Sequence, residues 1–202
     1  MQIRAPAILI AARQHGETAV IGRFLTAEYG VIAAYVAGGR GRQLRPVMIP
    51  GNVVEVQFSA RSDSQLPFAK PELLQSRGPF LTEPLPAAAI GWAVALSAIA
   101  LPERQPYPSL HDALGALLDA VCHAPSARGW VGAMIAYETL LLRELGYGGE
   151  GVRPEGDLPD LLRQMDALAG PLDHYLLADQ RGDVMAARSR LRDLLAKIIG
   201  TY

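Results

Sequence analysis

A single cysteine in 202 residues, Cys122, excludes a disulfide framework and a cysteine-built structural zinc site within one chain. Aromatic residues are sparse at 6% and charged residues make up only 19%, yet half of the chain is hydrophobic. That balance excludes intrinsic disorder and supplies a folded core. Lysine is almost absent, so the positive charge is carried by arginine, with only Lys70 and Lys197 as exceptions. No G-x-x-x-x-G-K-[ST] run occurs, which removes a P-loop, and neither H-E-x-x-H nor G-x-S-x-G is present. The longest apolar stretch, Ala87 to Leu101, is interrupted by Gly91, Trp92 and Ser97 and stops at Pro102, too short and broken for a bilayer span. The first residues lack a basic stretch, apolar run and cleavage site, so the expectation is a cytoplasmic protein.

What is present divides in two. Through Thr82 nine basic residues stand against five acidic ones, a balance of +4; from Glu83 onward ten stand against fifteen, or −5. The hydrophobic pattern changes at the same place. Ile3 to Ala12, Thr18 to Thr26, Val31 to Val36, Asn52 to Ser59 and Leu66 to Leu74 read as five short strands separated by glycine turns. Val54, Val56 and Phe58 alternate with Glu55 and Gln57, and Ala19, Ile21 and Phe24 supply apolar positions in the second strand. Five strands in so short a segment predict an OB-type barrel. Beyond it, helices are predicted over Pro86 to Leu101, Leu110 to Cys122 with Ser109 as cap, Ser126 to Leu145 stopped by Gly146, Leu158 to Leu168 and Val184 to Ile199. The fold class is therefore α+β in two domains, an OB-fold domain over residues 1–80 and an all-α domain over 81–202.

Gly146 to Gly151 satisfies G-x-G-x-x-G, but a helix precedes it and Val152-Arg153-Pro154 follows, the reverse of what a pyrophosphate site needs. It reads as a helix stop and a loop. Adjacent Cys122 and His123 point about 100° apart on a helix and cannot pair as thiolate and imidazole. Glu138, Arg143 and Glu144 read as surface charges, with Glu138 the one that could be half-buried against an arginine. No acid, base and nucleophile assemble, so the chain reads as a non-enzyme, a hydrolase built on Glu138 and a histidine being the distant rival.

The connection Gly39-Arg40-Gly-Arg42-Gln-Leu-Arg45 remains. Its three guanidinium groups on a flexible loop suit a phosphate chain, since arginine pairs bidentately with phosphate oxygens. Tyr29, Tyr35 and Phe58 are the aromatic residues available in this half for stacking on bases. The alternative is a solvated loop over core aromatics.

Several short segments, in order, resemble the RecO family of bacterial recombination mediators. They are Ala7 to Arg13 with Gly16-Glu17, Phe24-Leu-Thr26 with Glu28 and Gly30, Val36 to Arg40, Leu44-Arg45-Pro46, and Ile49 to Asn52. In the helical half they are Leu101 to Tyr107 and Tyr137-Glu138 with Leu141, Leu142 and Glu144 to Gly148. The resemblance implies a non-catalytic mediator that binds single- and double-stranded DNA, anneals complementary strands and helps load recombinase. The partners it implies are RecR and the acidic C-terminal tail of single-stranded-DNA-binding protein. Arg40, Arg42 and Arg45 are the leading DNA-contact candidates, with Arg13, Arg23 and Arg61 behind them. Arg104, Arg128 and Arg143 are candidates for the rim of a tail-binding pocket. Many family members carry a cysteine-rich zinc module after the Gly-Tyr-Gly segment, whereas here Gly149 to Pro159 follows directly, so no metal or other cofactor is expected. The alternative function is a protein-interaction adaptor whose barrel does not touch DNA.

Overall fold

The computed structural model describes residues 2–62, 65–148, 153–178 and 184–199. They form two compact units, one of residues 1–82 with 101–111 and one of residues 83–100 with 112–202. A single cut between residues 80 and 81 would assign 101–111 to the helices; its contacts assign it to the barrel.

In the first unit β1 (Gln2–His15), β2 (Ala19–Thr26), β3 (Gly30–Val36), β4 (Val53–Ser59) and β5 (Phe68–Gln75) close a barrel in the order β1-β2-β3-β5-β4. β1 is long because it serves two neighbours. Its first half pairs with β4, from Gln2↔Ser59 to Ile8↔Val53, and its second half with β2. A bulge between Leu9 and Ala11 bends it from one partner to the other. Strand alternation fills the interior with Ala7, Leu9, Val20, Phe24, Ile32, Ala34, Val36, Val54, Val56, Phe58 and Ala69. The parity of β2 differs from the expected one: Val20 and Phe24 point inward, and Ile21 faces out, half-buried.

The segment 101–111 reaches the start of β3, where Glu103 forms an isolated parallel bridge with Val31. Arg104 N–H donates to Val31 O (2.9 Å), and Arg23 Nη1 and Nη2 hold Glu103 Oε1 (2.8 Å) and Leu101 O (3.3 Å). Gly30, with φ +67°, is what permits this approach, because a Cβ there would stand 2.1 Å from Gln105 O.

The second unit contains α1 (Pro84–Ala100), most of α2 (Pro108–His123), α3 (Arg128–Glu144), α4 (Leu158–Leu172) and α5 (Met185–Ile199). Pro84 and Pro86 fit the first turn of α1, where no N–H is needed. Gly146, at φ +87°, ends α3 as expected: its N–H returns to Arg143 O and that of Tyr147 to Leu142 O, the paired bonds of a Schellman motif. α4 starts on a capping box in which the Asp157 and Asp160 carboxylates accept each other's backbone N–H. That backbone bond holds the Asp160 carboxyl below its ordinary range. Among the described residues no helix is long and apolar enough to cross a membrane.

Glu138, read from sequence as a surface charge with partial burial as the exception, is completely buried. Its carboxylate receives Arg188 Nε (3.0 Å) and Nη2 (2.7 Å) and Trp92 Nε1 (2.7 Å), and Arg188 Nη2 also reaches Met165 O (2.5 Å). One ion pair thereby joins α1, α3, α4 and α5. Ser97 and Tyr137 share a 2.6 Å hydrogen bond, and burial pushes the Tyr137 phenol far up.

Two outcomes are expected. Glu138→Ala or Arg188→Ala, each leaving a buried charge without its counterpart, should cost about 3–5 kcal/mol in urea unfolding. The double replacement Glu138→Leu with Arg188→Met should recover most of that loss; simple additivity of the two single losses would contradict the account. Gly30→Ala should force the 101–111 segment away and speed hydrogen exchange at the Arg104 amide, and unchanged exchange would show that the contact is dispensable.

Candidate nucleic-acid interface

The connection from β3 to β4 carries the arginines, and it is pinned rather than free. After Val36, Gly38 at φ +65° turns the chain. A Cβ on Gly39 would lie 2.9 Å from Val20 Cβ, so only glycine allows the loop to lie against β2. Arg40 N–H then bonds Thr18 O (3.0 Å), and Arg45 N–H closes a helical turn onto Gly41 O (2.9 Å). Val47 and Met48 enter the barrel core with Leu44 packed beside them. Burying such side chains contributes about 1.5–3 kcal/mol each.

The lower end of the loop is held by Asn52, whose side chain is wholly buried. Its Nδ2 donates to Pro46 O (2.9 Å) and Val47 O (3.1 Å), and its Oδ1 accepts Arg77 N–H (2.9 Å). Arg77 Nη1 also donates to Gly51 O (2.6 Å). The flexible connection expected from its glycines is therefore corrected by these bonds: the backbone is anchored and the guanidinium groups alone project.

Arg40, Arg42 and Arg45 come together around a depression of about 550 Å³ that Pro46 and Ile49 complete. Arg40 and Arg45 also border a second one of about 310 Å³, with Ala12, Gln14, Val20, Gly39 and Met48. Arg40 Nη1 donates to Glu17 O (2.9 Å), which orients it; Arg42 and Arg45 have no ion-pair partner among the described residues.

The second-tier candidates separate. Arg13 is exposed on β1, opposite Ile21. Arg61 borders a depression of about 840 Å³ with Gln2, Ser59, Ala60, Gln65, Leu66 and Phe68. Arg23 is engaged by Glu103 and Leu101 and clamps the outer segment instead of projecting. Of the proposed rim residues, Arg104 belongs to the barrel unit, with φ +62°. Arg128 and Arg143 stand at opposite ends of α3, roughly 22 Å apart along its axis, and Arg143 pairs with Glu144 (3.4 Å). The three do not meet at one rim.

The aromatic residues are also redistributed. Phe58 is buried against Phe24, ring centroids 5.6 Å apart, so it is core and unavailable for stacking. Tyr29 is exposed in the β2–β3 turn, and Tyr35 is half-buried on the outer barrel face. Two residues not singled out from sequence join Tyr35: His15 at 5.8 Å and Phe68 at 5.3 Å. Their signal is parity, legible only once the pairing Tyr35↔Phe68 is known.

Cys122 is half-buried and His123 exposed. No group of three or more His, Cys, Asp or Glu able to hold a metal occurs among the described residues. Part of the stretch after Gly148, residues 149–152, lies outside them, as does the second half of the G-x-G-x-x-G match.

Residues 1–77 match the family described as Recombination protein O N terminal, and residues 84–150 match Recombination protein O C terminal. The chain is 39% identical over 150 residues to the DNA repair protein RecO of Phenylobacterium zucineum, covering 73% of this chain and 60% of that protein. With the DNA repair protein RecO of Rhodospirillum centenum it shares 41% over 143 residues, 70% of this chain and 56% of that protein. The chain thus spans somewhat over half the length of these relatives.

Asn52→Ala should leave three backbone groups without their partner, at roughly 1–3 kcal/mol for each group that water cannot reach. The expected result is a lowered melting temperature together with faster tryptic cleavage at Arg42 and Arg45. Cleavage at the native rate would mean the loop is not held by this side chain.

Proposed function

The chain belongs to the RecO family, and we propose that it is a non-catalytic recombination mediator that binds single- and double-stranded DNA and anneals complementary strands. In this reading it also helps load recombinase onto DNA coated by single-stranded-DNA-binding protein, working in the bacterial cytoplasm with RecR. The observation that carries the DNA-binding part is the convergence of Arg40, Arg42 and Arg45 on one depression at the surface of a loop whose backbone is already ordered. An ordered loop loses little conformational freedom when it binds, so the attraction of guanidinium for phosphate is not offset by the cost of fixing the chain. The helical unit is the proposed site for the acidic tail of single-stranded-DNA-binding protein, with Arg128 and Arg143 as separate points of attraction rather than a common rim.

The test is fluorescence anisotropy of a labelled single strand across a salt series. Replacing Arg40, Arg42 and Arg45 together by Ala should weaken binding and lower the slope of log K against log salt by roughly two, since each single-strand phosphate contact contributes about 0.7. An unchanged slope in the folded variant removes the loop from the binding surface. Absence of any DNA binding by the native chain would favour an adaptor that contacts only protein.

A further inference from the structure

The outer face of the barrel carries a strip that the arginine loop does not explain. Following the lateral register, Arg13 pairs with Ile21, Ile21 with Tyr35, Tyr35 with Phe68 and Phe68 with Ser59. All lie on the outward parity, because their strand neighbours Val20, Val36 and Ala69 are core. His15 extends the strip at the β1–β2 turn, the same turn on which Arg40 docks through Thr18 O and Glu17 O.

The three rings meet edge to face. His15 and Tyr35 are inclined at 85° and Tyr35 and Phe68 at 74°. An edge-to-face contact covers at most one face of one ring, so ring faces remain open, unlike in a parallel stack. Phe68 is 57% exposed, an unfavourable position for an isolated phenyl group. It is held there by the Tyr35 N–H bond to Pro67 O (2.8 Å). It also forms a wall of the depression that contains Arg61.

Charge selects the occupant. Guanidinium groups stand at both ends of the strip, Arg13 at one and Arg61 at the other. The register row itself contains no acid. The nearest carboxylates on β4 and β5, Glu55 and Glu72, face each other four residues further along, and Glu55 is paired with Arg4 (3.0 Å). From β1 to β5 the strip crosses three strand spacings, roughly 14 Å. Flat apolar faces between two cationic ends match a single nucleic-acid strand whose bases are turned toward the protein while its phosphates run toward the arginines. A duplex keeps its bases stacked on one another and cannot offer those faces.

We propose that His15, Tyr35 and Phe68 form a base-stacking strip through which the barrel distinguishes single-stranded from duplex DNA. The inference rests on the DNA-binding reading above and adds to it the part of the ligand that is recognised: bases here, phosphates at the arginine loop.

Three labelled probes test it on the full chain: an oligothymidine of about 15 nucleotides, within the site size of one OB fold, an abasic strand of equal length, and a duplex. Phe68→Ala should lower oligothymidine affinity roughly fivefold or more and leave the abasic and duplex affinities unchanged. Phe68→Trp should keep the affinity and report directly, because Trp92 and Trp130 are buried (0% and 3% exposed) and the new exposed indole should be quenched when a base stacks on it. Equal native affinity for abasic strand and oligothymidine, or no effect of Phe68→Ala, overturns the strip while leaving DNA binding intact. Failure of the native chain to bind any probe overturns the DNA-binding reading and the strip with it.

Discussion

A five-stranded barrel has to fill its interior with side chains, and here the strands do not supply all of them. Val47 and Met48, from the β3–β4 connection, complete the core that Leu9, Phe24, Ile32 and Phe58 begin. The loop that bears Arg40, Arg42 and Arg45 is for this reason a structural component of the barrel. Its apolar residues turn inward, and Asn52 satisfies the backbone carbonyls that this inward turn would leave buried. The arginines are displayed because their neighbours are committed to the core. Charge display and core packing in this unit are one arrangement.

The helical unit shows the same economy in another form. Its centre is the Arg188–Glu138 pair, with side chains 4% and 0% exposed. Desolvating two charges is costly, and the pair is tolerable because every oxygen of the carboxylate has a donor and Arg188 has the Met165 carbonyl besides. Buried apolar surface is indifferent to rotation and register, whereas a bidentate pair with an indole N–H alongside accepts one geometry. The pair therefore specifies how α1, α3, α4 and α5 meet, more than it adds to their stability.

Several positions departed from the sequence reading for identifiable reasons. The helix expected over Leu158 to Leu168 continues through Pro171 to Leu172 and passes into a π-helical turn, Asp173–Leu177. Packing of the buried Leu172 and Leu177 overrides the lost proline N–H. Arg23 read as a projecting base, but Glu103, eighty residues away, claims it. Ser109 read as a cap, and the helix begins at Pro108 before it.

The two-part architecture, the five strands, the helical second half and the stop at Gly146 were all legible in the sequence. Each is written in local signals: a period of two or of 3.6, and glycine where φ is positive. The arginine loop could likewise be located from composition alone. What only the tertiary structure decided depends on partners distant in sequence. Phe58 goes inward and Phe68 outward, although both are aromatic residues in β-strands, because the parity of each strand is set by the neighbour it pairs with. Glu138 is buried because Arg188 reaches it from another helix, and the 101–111 segment joins the barrel because Gly30 lets it approach. Periodicity along the chain carries no record of which elements will meet, and it is at those meetings that charges are neutralised or left free to bind.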